Sequence, residues 1–261
     1  MRAFACLVLV FAFLAIPAEA AEMPPAGVAL AINKAGRQRM LSQRIVRSYA
    51  LGVLGVTRAL ANEDLKDAVR NFDRQLADLK AVVTGSDARE SLREVEQQWA
   101  RFRPLALGPS SREGAEALNA AGERLLRAAE RSVAALERHA KTPHARFINL
   151  AGRQRMLSQR IAKGYLLLAL GTDSDGARQE LHAAIGEFDE TLAQLRTASA
   201  GNEALRSEFS IAAAQWEMLR AVAGGEPRSA TDSLAVVEAA DAILHRMERI
   251  TLIYQRLAAA R

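Results

Sequence analysis

The stretch Ala35–Ile45 reads AGRQRMLSQRI, and the same eleven letters return as Ala151–Ile161. The flanks have drifted far more. Around this core the correspondence extends at a constant offset of 116 positions. Tyr49 matches Tyr165, Gly55 matches Gly171, and FDRQLADL from Phe72 matches FDETLAQL from Phe188. Trp99 pairs with Trp216, and ERLLRAAER from Glu123 aligns with DAILHRMER from Asp241, after small insertions. Two copies of one unit, residues 26–140 and 143–261, therefore fill the chain beyond its leader.

Each copy reads as helix throughout. Ala, Leu, Arg, Glu and Gln dominate, and these are good helix formers. Apolar residues recur three and four apart, as in Leu65, Ala68, Phe72, Leu76 and Leu79. Breaks are expected at Thr57–Asn62, Thr84–Asp87, Pro104–Ser111 and Lys141–His144, and in the second copy at Gly171–Gly176, Ser199–Asn202 and Gly224–Ser229. Ser110 with Glu113 resembles a capping box, and Thr142-Pro143 an N-cap followed by proline at the first helical position. The expected fold is all-α, with two tandem up-down four-helix bundle units. A reversal at Lys141–His144 would set them side by side as a pseudo-dimer, whereas a mere kink at Pro143 would stack them end to end. The reversal is favoured, because a helical hairpin needs only a few loop residues.

Residues 1–20 have the form of a cleaved signal peptide. Arg2 supplies the positive end, Cys6–Ile16 the apolar stretch and Ala18-Glu19-Ala20 the cleavage site. The apolar stretch is shorter than the ~20 residues a membrane span needs. No later stretch is long and apolar enough to cross a bilayer, so the expected product is periplasmic and soluble. Cys6 is the sole cysteine, so disulfides play no part in the mature fold. The net charge of +5 survives cleavage, because Arg2 and Glu19 cancel. With 5% aromatic residues the chain lacks the stacking platforms of a nucleic-acid binder. The basic balance instead suits a small anion or an anionic surface.

On a helix, Ile32, Gly36, Arg39, Gln43, Val46 and Ala50 share one stripe, as do Gly152, Arg155, Gln159 and Ala162 in the second copy. Arg39 and Arg155 thus face the interior, while Arg37, Arg44, Arg153 and Arg160 point toward the surface or toward ion pairs. No acidic residue lies between Asn33 and Gly55, so no local carboxylate can neutralise Arg39. An interior arginine needs a partner from another helix or a bound anion. Gly36 and Gly152 weaken their helix by roughly 1 kcal/mol each relative to Ala, which makes sense where a helix or ligand must approach the backbone. Gln43 and Gln159 are candidate neutral donors, and Ser42 and Ser158 lie nearby. Met40 and Met156 read as packing residues. Asp73 and Asp189, each after a matching Phe, read as partners for a helix-one arginine.

Other chemistries find no support. His139, His144, His182 and His245 lack zinc-ligand spacing, no Glu-x-x-His pair suits a di-iron bundle, and neither a phosphate loop nor a nucleophile elbow occurs. No enzyme, metal or cofactor is expected.

INKAGRQRMLSQRI resembles the N-terminal sensor domain of type IV pili methyl-accepting chemotaxis transducers, the PilJ-type family. Its N-x-A-G-x-x-R-M-x-S-x-R pattern is also similar to the periplasmic box of nitrate/nitrite sensor histidine kinases. The resemblance implies helical bundles in which two copies of helix one pair. It further implies that the arginine before the methionine, here Arg39 and Arg155, contacts nitrate across the axis, with the backbone of Gly36 and Gly152 beside the ion. The Arg-Gln after the glycine is closer to the pili-transducer version. The expected function is an exported sensor-type domain binding a small oxyanion, nitrate or nitrite foremost, between the first helices of the two copies. The alternative is a non-catalytic module that docks a membrane receptor, envelope protein or other signalling partner without a small ligand.

Overall fold

Long runs of helix formers separated by short Gly-, Pro- and Ser-containing joints become eight helices in the computed structural model, which describes residues 23–140, 143–172 and 174–260. These are α1 Pro25–Val53, α2 Arg58–Val82, α3 Ser86–Ala106, α4 Arg112–His139, α5 Pro143–Leu170, α6 Ser174–Ala198, α7 Glu203–Ala223 and α8 Ala230–Ala259. The expected signal peptide at 1–20 and the expected cap Thr142 lie outside the described residues. Pro25 opens α1 and Pro143 opens α5, where the missing N–H is harmless.

Several expected boundaries shift: α3 runs through Pro104 to Ala106, and α6 begins at Ser174. The first break falls at Leu54–Thr57, with Gly55 at φ 75° and Thr57 at φ 45° making the turn. Nothing in Arg58–Asn62 opposes a helix, so these residues join α2. The cap of α4 is Ser111 rather than Ser110. Its hydroxyl accepts the Gly114 N–H at 2.9 Å, with Glu113 in the first turn.

The two units, α1–α4 and α5–α8, lie side by side. Glu137 faces Asn149, Glu130 faces Arg153 and Glu123 faces Arg160, so α4 and α5 form an antiparallel hairpin across the 141–142 joint. Helices α1 and α5 run parallel. Arg39 reaches Asn149, Arg155 reaches Asn33, and further along Arg47 reaches Gln159. This pair is the centre of the molecule. α1 also packs on α2, α4 and α8, α5 packs on α6 and α8, and α3 and α7 cover α4 and α8 from outside. Met40 and Met156 are buried in the core, as expected.

The repeated Phe-Asp and the repeated Trp form one device in each unit. Phe72 stacks on Trp99 with ring centroids 3.9 Å apart, and Phe188 stacks on Trp216 at 4.1 Å. The indole N–H of Trp99 donates to Asp73 at 2.8 Å, and that of Trp216 donates to Asp189 at 2.6 Å. This corrects the reading of both aspartates. They satisfy a buried indole and face Arg103 and Arg220 on the outer helices rather than an arginine of α1 or α5. A buried N–H without an acceptor is costly, which explains why the Asp and the Trp persist together.

Trp216→Ala is expected to destabilise the fold by roughly 3–5 kcal/mol through the cavity it leaves, and Trp216→Phe by about 1 kcal/mol through the lost hydrogen bond. Urea unfolding of the two variants beside the parent checks the order.

Candidate functional site

The site begins where α1 and α5 cross. A Cβ built on Gly152 would lie 3.9 Å from the Cα of Gly36, and one built on Gly36 would lie equally close to Gly152. An added methyl would touch the facing backbone at ordinary van der Waals distance and crowd the ends of both arginines, and a larger side chain would find no room. Ala35 and Ala151 beside them are fully buried.

The close crossing brings both interior arginines to one place. From the Gly36 Cβ position, a terminal nitrogen of Arg155 is 3.4 Å away and one of Arg39 is 3.5 Å away. From Gly152 the same distances are 3.2 and 3.3 Å. Arg39 is 2% exposed and Arg155 is fully buried. Side chains on a helix lean toward its N-terminus, so each arginine reaches back toward the asparagine that opens the facing repeat. Arg39 donates to Asn149 Oδ1 at 2.8 Å and to its carbonyl at 3.2 Å, while Arg155 donates to Asn33 Oδ1 at 2.8 Å. The asparagine amides are oriented in turn: Asn33 donates to Gln255 on α8 at 2.7 Å, and Asn149 donates to Glu137 on α4.

Burial pulls the Arg39 pKa down to about 10, with Glu130 and Glu137 opposing and Arg153 and Arg155 adding to the fall. Burial lowers Arg155 as well, opposed by Glu248. Arg39 therefore stays charged at neutral pH. Among the described residues no carboxylate pairs directly with Arg39, whereas Glu248 pairs with Arg155. Among the described residues the Nε atoms of both arginines meet no acceptor.

Gln43 and Gln159 are fully buried but bond elsewhere. Gln43 donates to Ser42 at 3.2 Å; Gln159 donates to Asp241 at 3.2 Å and accepts from Arg47 at 2.8 Å. Asn33 and Asn149 are the neutral groups that touch the two guanidiniums. Ser42 and Ser158 donate to the carbonyls of Arg39 and Arg155 within their own helices. Gln154, also in the repeated stretch, donates to the Phe188 carbonyl at 2.9 Å and ties α5 to α6.

A second ionic layer lies further along the pair. Arg47 is 2% exposed and bridges Asp64 at 2.7 Å and Asp241 at 2.6 Å, while fully buried Lys163 bridges Glu123 at 2.7 Å and Glu180 at 3.2 Å. The outward arginines are ion-paired: Arg37 with Glu248, Arg44 with Asp64, Arg153 with Glu130 and Glu187, and Arg160 with Glu123. Most of these acids cross between units. Glu123, Glu130 and Glu137 on α4 serve α5, and Asp241, Glu248 and Gln255 on α8 serve α1. Sequence reasoning missed Asn33, Asn149, Arg47 and Lys163. The signal was the seven-residue spacing of the acids on α4 and α8, one helical face opposite the arginines.

A family model described as the type IV pili methyl-accepting chemotaxis transducer N-terminal domain, PilJ, matches residues 26–125 and again residues 139–243. The chain belongs to the PilJ family. Each PilJ segment contains one copy of the glycine–arginine stretch, so the two segments meet at the α1–α5 crossing. PilJ domains are sensory rather than catalytic, and are typically extracytoplasmic. Among the described residues no helix is long and apolar enough to cross a membrane. No curated protein and no solved structure matches the chain.

Burial alone would raise Asp64, Glu123 and Glu248, but the facing arginines and lysine outweigh it and hold all three below the ordinary carboxylate range. A depressed folded-state pKa gives stability that is present above the unfolded value and lost as pH falls. Thermal midpoints should therefore drop as the pH falls below roughly 4, and Glu123→Gln should flatten that drop while lowering the midpoint at neutral pH. Gly152→Val should separate the central helices and cost at least as much as a typical overpacking change, about 1–3 kcal/mol, measured by chemical unfolding.

Proposed function

We propose that this PilJ protein is an exported, sensor-type binding protein for a small oxyanion, nitrate or nitrite foremost, held between α1 and α5. The observation that carries the reading is the convergence of the Arg39 and Arg155 guanidiniums beside Gly36 and Gly152, with no carboxylate directly on Arg39. Two buried cations side by side repel each other and are stabilised by an anion between them. A planar oxyanion matches the flat fork of a guanidinium, which donates in parallel to two oxygens. The unpartnered Nε–H groups of Arg39 and Arg155 are further donors for it. The repeated glycines support the same reading, since they let both guanidiniums lie against backbone. Gln43 and Gln159 stand in the same stripe as further polar groups of the pair of helices, with Gln159 engaged by Asp241 and Arg47. Export through the leader at 1–20 and a handover to a membrane receptor or signalling partner complete the proposal.

One observation favours the second reading, a docking module without a small ligand. The outer face of α7 exposes Ile211, Met218 and Val222, where the first copy carries Glu94, Arg101 and Leu105.

Thermal shift and calorimetry with nitrate, nitrite, chloride, sulfate and phosphate separate the two. Binding at a hundredfold excess over Kd stabilises the native state by roughly 2.7 kcal/mol, and the shift should vanish in Arg39→Ala. No heat and no shift with nitrate or nitrite would remove those ligands. Partner capture that survives Arg39→Ala but is lost in Met218→Glu would favour docking.

A further inference from the structure

The two halves of the site are not equivalent, and one difference between them lies at Glu248. Glu248 on α8 and Glu130 on α4 occupy matching positions in the two copies, within ERLLRAAER and DAILHRMER. Each pairs with the outward arginine of the other unit, Glu248 with Arg37 and Glu130 with Arg153. Arg153 has a second carboxylate, Glu187. The position matching Glu187 in the first copy is Asn71, immediately before Phe72. Among the described residues Arg37 has no such second carboxylate, and Glu248 is divided between two arginines. One of its oxygens meets Arg37 and the other meets Arg155 in the interior. Glu130 makes no matching bond to Arg39 and acts on it only through space.

We infer that Glu248 is a built-in competitor for the anion: it occupies Arg155, leaves Arg39 as the open cation, and so sets both the affinity of the site and the response of α8. The inference rests on the oxyanion reading above. An incoming oxyanion meets the full charge of Arg39 and gains Arg155 only by loosening it from Glu248. Because Glu248 also holds Arg37, the displaced carboxylate has a cation to stay with. Its release is therefore a shift of one ionic contact from α5 toward α1 rather than the stranding of a buried charge. Glu248 is the group through which α8 registers occupancy.

Calorimetric titration of the full chain with nitrate and nitrite, on the parent, Glu248→Gln and Glu130→Gln, tests this. Glu248→Gln keeps the shape and removes the competing charge, and should tighten binding by roughly tenfold or more, a lower bound on one close charge interaction at a partly buried site. Glu130→Gln makes the same change in net charge and should tighten binding by a smaller factor, since it bonds neither site arginine. Binding detected in Glu248→Gln alone would also support the inference. If the parent binds and Glu248→Gln binds no tighter than the parent or than Glu130→Gln, the competitor role is wrong while the oxyanion reading stands. If none of the three proteins binds either ion, both fall. Should Glu248→Gln fail to fold, Glu248→Asp withdraws the carboxylate by one methylene and must move affinity in the same direction.

Discussion

The close approach of α1 and α5 at Gly36 and Gly152 is the constraint on which the remaining architecture depends. Helix axes usually pack 8–10 Å apart, the spacing being set by the side chains between them. Removing those side chains at one level draws the backbones together, and the groups on either side must fill what is left. Arg39 and Arg155 extend along the crossing toward Asn149 and Asn33. The asparagines in turn are held by Glu137 and Gln255 from the helices that end each unit. Two residues with the poorest helix propensity short of proline thus organise a shell of polar contacts on four helices.

That shell is reciprocal between the units. Acids of α4 answer cations of α5, and acids of α8 answer cations of α1, so each unit supplies part of the countercharge of the other. Symmetry is close but chemically inexact. Arg47 stands where the second copy has Lys163, Asp64 where it has Glu180, and Asp241 where the first copy has Glu123. The planar guanidinium of Arg47 reaches two carboxylates and Gln159 at once, while the ammonium of Lys163 meets two carboxylates. Longer acids face the shorter cation, which keeps the span of each network similar.

Much of this was legible in the letters. Helix class, the number of helices and the interior position of Arg39 and Arg155 follow from periodicity and repetition, while the side-by-side units are favoured over an end-to-end stack only by the shortness of the joint at Lys141–His144. The partners were less legible, because a contact between residues 39 and 149 or 47 and 241 depends on which helix lies beside which. The direction in which a helical side chain leans would have pointed to Asn33 and Asn149, since both precede the arginine by six residues. Asp73 and Asp189 were misassigned because two needs compete for one carboxylate, and the indole N–H of a stacked tryptophan lay closer than any arginine of α1 or α5. Gln159 shares the stripe of the arginines yet bonds to Arg47 and Asp241 in the next layer, a distinction that residue spacing on a wheel does not make.

The parallel pairing of α1 with α5 has one more consequence. In a dimer of separate chains, pairing of equivalent helices would depend on protein concentration and would force both halves to mutate together. Here the joint at 141–142 links the halves covalently, so their meeting is an intramolecular event at fixed effective concentration. Each half can then change alone, and the Asn71–Glu187 difference is such a change. Tethering converts a symmetric pair into one with a left and a right hand, and a partner that reads only one of them can tell which side it has met.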